Sequence, residues 1–116
     1  MTNQEAFETM VRHLRKQGKR STSARGIACR YRGTKGMACA VGVLIPDKEY
    51  SPTFEGHGAE FVAKKVPTLQ SVSLDILLEM QMIHDNDAVK SWEDSFDSAA
   101  KRFSLTLPPL EEASHA

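Results

Sequence analysis

Residues 27–50 read IACRYRGTKGMACAVGVLIPDKEY, from Ile27 to Tyr50, and the way this stretch folds decides the class of the whole chain. It holds both cysteines and three of the seven glycines. Ile27, Cys29 and Tyr31 alternate with Ala28, Arg30 and Arg32, the period of a half-buried strand. Gly33-Thr34-Lys35-Gly36 has the length and composition of a hairpin turn, and Met37 to Ala40 reads as the returning strand. From Cys39 the small residues Ala40 and Gly42 lead into Val43, Leu44 and Ile45, a strand end running into a short buried helix. Pro46 stops that element. Gly42 suits a close approach to a neighbour, since no Cβ intervenes.

Outward from this stretch the pattern is helical. Phe7, Met10, Val11 and Leu14 recur at i, i+3, i+4 and i+7, which predicts a helix over 3–17 capped by Thr2 or Asn3 and closed by Gly18. Residues 18–26, GKRSTSARG, read as a basic solvated loop. Turns anchored by Tyr50 and Phe54 precede a two-turn helix near 58–66. A helix over about 72–84 is apolar on nearly all sides, which predicts a central position. Trp92, Phe96 and Phe103 stripe a last helix over 88–103. The expectation is an α+β fold, four to five helices around one short β-hairpin, in a single domain over 1–110 with a frayed tail at 111–116.

Composition excludes several classes. A chain of 116 residues with 41% hydrophobic and 26% charged residues is sufficient for one self-supporting core. No apolar run approaches a membrane span, and no secretory leader is visible at Met1 to Phe7. Two cysteines in such a chain read as reduced thiols, with the cytoplasm as the expected compartment. Zero net charge hides an asymmetry: residues 1–36 carry nine Lys/Arg against Glu5 and Glu8, a balance of +7, and the remainder carries −7. Such a split marks either a basic face for a partner or two halves that neutralise each other.

Three chemistries are open on these residues. Cys39 at the start of a short helix, with His84 and Asp85 as base and orienting carboxylate, would make a thiol nucleophile. A buried cysteine that serves as a small hydrophobe has the same sequence. Cys29, Cys39, His57 and His84 are the candidate metal ligands, although none falls in the close pairs that structural zinc favours. Lys19, Arg20, Arg25, Arg30, Arg32 and Lys35, with Tyr31 interleaved, are the candidate binding residues for phosphate or for an acidic surface. No cofactor motif is present, and no cofactor is expected.

The string Cys29-x-Tyr31-Arg32-Gly33-x-x-Gly36-x-x-Cys39-Ala40-x-Gly42-x-Leu44-Ile45-Pro46-Asp47, followed by Tyr50 and Glu55-Gly56, resembles small bacteriophage and prophage proteins of unassigned function. The resemblance extends to the opening helix and to Leu78–Asp85 with Trp92 and Phe96. It implies a phage-derived origin, a small α+β domain and the cytoplasm of a host cell. It supplies no catalytic residue. The leading expectation is therefore an accessory protein that binds a host macromolecule, above all a host protein, to modulate or inhibit it. Nucleic-acid binding through the basic first third is the alternative, and a small Cys-His thiol enzyme the second.

Overall fold

Four α-helices and a series of single 3₁₀ turns build the computed structural model, which describes residues 1–24, 26 and 28–110. Helix α1 spans Asn3–Gln17. Thr2 caps it, accepting the Glu5 N–H while the Glu5 carboxylate accepts the Thr2 N–H, so two of the free N–H groups at this end are satisfied reciprocally. Its stripe of Phe7, Met10, Val11 and Leu14 is fully buried. Gly18, at φ +69°, turns the chain out of α1 and returns its N–H to the Leu14 carbonyl. Helix α2 covers Ala59–Lys65, α3 covers Leu74–Asn86 and α4 covers Trp92–Phe103. Helix α3 packs against α1, α2 and α4, and α1 also packs on the Gly42–Leu44 turn. The Cα radius of gyration, 13.5 Å, is that of one compact domain of this length. The expected tail at 111–116 lies outside the described residues.

The expected hairpin does not form, and the fold is all-α. Among the described residues there is no strand, only two isolated antiparallel bridges, Thr22 with Cys29 and Arg32 with Ala38. The reason lies in where the backbone donors go. The Tyr31 N–H, the next donor a longer ladder would have used, goes to the Glu55 carboxylate at 2.9 Å, and the Arg32 N–H goes to the same carboxylate at 3.1 Å. The Cys39 N–H reaches the Tyr31 carbonyl only at 3.4 Å. Thr34–Gly36 forms a 3₁₀ turn at the tip, with Lys35 at φ +56°. A Cβ on Gly42 would fall on the Tyr31 carbonyl oxygen, so this glycine lets the two segments touch through backbone instead of pairing. The element after Cys39 is a 3₁₀ turn, Gly42–Leu44.

Helix α3 is also less enclosed than its composition predicts. Ile76, Leu77, Met80, Ile83 and His84 are buried, but Leu78 and Met82 are 40% and 48% exposed. Neighbouring helices cover only part of its circumference. On α4, Trp92, Phe96, Ala99 and Ala100 are buried and Phe103 is partly so. Beyond it, Ser104 takes φ +56° and the chain runs extended along α1. Gln4 brackets Thr106 there, donating to its carbonyl and accepting its N–H, and Arg15 donates to the carbonyls of Pro108 and Pro109. No helix among the described residues is long and apolar enough to cross a membrane.

Candidate functional site

Helix α3 ends at a buried imidazole, and the basic loop is docked onto it. His84 is fully buried. Its Nε2 accepts the Ser21 N–H at 2.9 Å, so the ring proton resides on Nδ1. From there it is donated to Asp85 Oδ1 at 2.7 Å. Arg20 donates to the carbonyls of His84 and Asp87, two of the unpaired acceptors at the helix end. Gln81, one turn back, donates to Asp85 Oδ1 at 2.9 Å and accepts the Val41 N–H at 3.0 Å. The loop expected to be solvated is thus pinned at Arg20 and Ser21, and Ser21 is fully buried.

The bridge between Thr22 and Cys29 carries the Cys29 thiol to the same carboxylate. Cys29, His84 and Asp85 each place one ligating atom within 4.8 Å of the others. Cys29 and Asp85 border a cleft of about 290 Å³ whose walls include Arg30, Tyr31, His57 and Gln81, with His84 buried outside its lining. Cys29 as a residue is exposed, yet its pKa lies above the ordinary thiol value. Partial burial is the main cause, followed by the Asp85 charge and its hydrogen bond to the thiol. The order of groups matters chemically. In a thiol nucleophile the imidazole stands between sulfur and carboxylate and takes the thiol proton. Here the carboxylate stands in the middle and both imidazole nitrogens are engaged, an order that keeps the thiol protonated.

Cys39, the expected nucleophile, occupies a different place. It is fully buried, its Sγ accepts the Gly42 N–H at 3.3 Å, and burial pushes its thiol up to about 12. It is not part of the cluster with His84. Both cysteines are free thiols. His57 lines the cleft but is outside the ligating group, its ring stacked on Phe61 at 4.0 Å.

The candidate binding cations have mixed fates. Lys19 and Lys35 are exposed. Arg30 is half-buried, donating to the Arg32 carbonyl at 3.2 Å and lying 3.8 Å from Glu55. Arg32 donates to the Ile45 carbonyl at 2.9 Å, pairs with Asp47 at 2.8 Å and covers the Tyr50 ring. Arg25 lies outside the described residues. Two residues central to this region escaped notice in the sequence as site members, Glu55 and Gln81. Neither spacing nor composition marks them, since each acts on backbone at least 23 residues away. No family model, curated protein or solved structure matches the chain.

Proposed function

We propose that this chain is a non-catalytic binding protein, of the phage or prophage accessory type, that docks on a host protein and modulates it. The observation that carries the reading is the exposed apolar pair Leu78 and Met82, one turn apart on α3. Exposed Asp75 and Asn86 share that face, and Glu79 beside it is tied to Arg102 at 2.9 Å. An apolar strip with an acidic edge fits a partner surface of apolar residues rimmed by basic ones. Two supports come from elsewhere in the molecule. Both thiols are held protonated, which speaks against thiol catalysis, and Arg15, Arg20 and Arg32 are committed to carbonyls and carboxylates of this same chain.

The test is a photo-crosslinking residue at position 82, with one at exposed position 104 as control, in lysate of a candidate host. One protein captured from 82 and not from 104, then purified and titrated, should bind wild type and lose at least about tenfold with Leu78→Glu plus Met82→Glu. That loss corresponds to about 1.4 kcal/mol. The urea midpoint of the double variant should stay near wild type. An undiminished affinity in the double variant, or tight salt-steep binding to random duplex, would overturn the reading.

A further inference from the structure

We infer that Cys29, His84 and Asp85 form a binding site for one divalent metal ion of the zinc class, with a fourth position open to the cleft. The proposal goes beyond the binding function and does not depend on it. Its first support is the donor set. A thiolate, an imidazole and a carboxylate are the three side-chain types that zinc takes, and a thiolate selects against magnesium and calcium. The ligating atoms already lie within 4.8 Å of one another. Tetrahedral zinc needs them roughly 3.3–3.6 Å apart, from bond lengths of about 2.0–2.3 Å. The adjustment falls on Cys29, which sits in an exposed loop, and on the His84–Asp85 pair, whose Nδ1 and Oδ1 are 2.7 Å apart and must open to that spacing.

The second support is charge. A dication with one thiolate and one carboxylate is neutral, which suits a half-buried site. The metal-free arrangement already gathers two positive hydrogens at the same carboxylate, the imidazole Nδ1–H and the Cys29 thiol. An ion in their place needs the Nδ1 lone pair, so the ring proton must move to Nε2. There it would meet the Ser21 N–H, one donor against another.

Ser21 must yield there, and it supplies the third observation. Its Oγ is completely buried and has no hydrogen-bond partner among the described residues, an unusual state for a native hydroxyl. That Oγ lies against Gly33 and makes no bond to the imidazole in the metal-free chain, so ion binding must turn it toward Nε2 as the Ser21 N–H gives way. A ligating histidine that donates its other N–H to an oxygen is the usual arrangement around zinc. Gln81 steadies the carboxylate in either state. The balance is one proton released per ion: the thiol loses its proton, the imidazole keeps one by shifting it from Nδ1 to Nε2, and the carboxylate loses none. The bound ion would fasten Cys29 to the end of α3.

Cobalt(II) titrated into the reduced full-length chain tests this. The expected result is a thiolate-to-cobalt charge-transfer band with the strong visible bands of four-coordinate cobalt, saturating at one equivalent and displaced by zinc. Calorimetry in buffers of different ionisation enthalpy should return one proton released per ion. Cys29→Ser, or iodoacetamide on folded protein with Cys39 left unmodified, should abolish the charge-transfer band. Ser21→Ala should keep the bands and weaken affinity about 10–100-fold, the usual effect of removing an outer-shell partner. Circular dichroism shows that each variant is folded before titration. Absence of the charge-transfer band in wild type, or its survival when Cys29 is blocked, would overturn the site. An unaltered affinity in Ser21→Ala would overturn the role given to Ser21.

Discussion

A single methyl group at Gly42 tests how tightly the central stretch is closed. The added Cβ would fall on the Tyr31 carbonyl oxygen, a backbone atom that cannot swing aside. Gly42→Ala is therefore expected to cost about 3 kcal/mol or prevent folding, the upper range for overpacking a filled interior. Gly58→Ala, where nothing lies within 4 Å of the new Cβ, should stay within about 1 kcal/mol in the same urea melts. Cys39 offers a second test at this scale. Its thiol holds the proton up to about 12 in the folded chain, against 9.0 for an ordinary thiol. The folded state then binds the proton more tightly than the unfolded one. Stability is fully present below 9.0 and is lost as the pH rises from there toward about 12. Tyr31 and Cys29 are shifted upward too and add to the same alkaline loss. The urea midpoint should fall across that range, and Cys39→Ala, although less stable throughout, should show a shallower fall.

At the scale of elements, one carboxylate replaces a strand pairing. Glu55 accepts the N–H groups of Tyr31 and Arg32 and the Tyr50 hydroxyl, the last at 2.6 Å. Glu55→Gln keeps the shape but turns an acceptor pair into one acceptor and one donor. A loss of about 2–4 kcal/mol is expected in denaturant melts, from weakened charged hydrogen bonds and an N–H left without a partner. This element also shows why parts of the fold were legible in sequence and parts were not. Helix α1 was readable, with its cap narrowed to Thr2 or Asn3, because its cap, stripe and stop are all local, from Thr2 through Leu14 to Gly18. The alternation around Cys29 and Tyr31 made no half-buried strand, since Cys29 is exposed, and alternation cannot reveal that Glu55, 24 residues from Tyr31, takes the Tyr31 donor a ladder needs. The site divides the same way. His84 beside Asp85 could be read from adjacency. That Cys29 and not Cys39 joins them depends on the Thr22–Cys29 bridge and on the Ser21–His84 bond, both set by tertiary packing.

Over the whole molecule, the charge split of the sequence is partly consumed by folding. Arg15 grips Glu93 through two nitrogens, at 2.7 and 2.8 Å, and Arg32 meets Asp47. Arg20 closes the end of α3. Arg20→Ala should therefore act on stability, lowering it by about 1.5–3 kcal/mol in urea melts for the lost charged hydrogen bonds. Removing it should leave the salt dependence of any association unchanged, since a phosphate-binding cation would flatten the slope of log affinity against log salt by about 0.7–0.9. The extended run after α4 carries a further consequence. Gln4 and Thr106 clasp each other across 102 positions, and Arg15 reaches Pro108 across 93. A ribosome makes α1 about a hundred residues before the segment that covers it. For that interval, some seconds at 5–20 residues per second, this helix has an uncovered flank. Contacts so distant in sequence make folding slow relative to the speed at which each helix can form. The molecule thus closes like a clasp whose two halves are made far apart in time, and in the interval the flank of α1 waits for its cover.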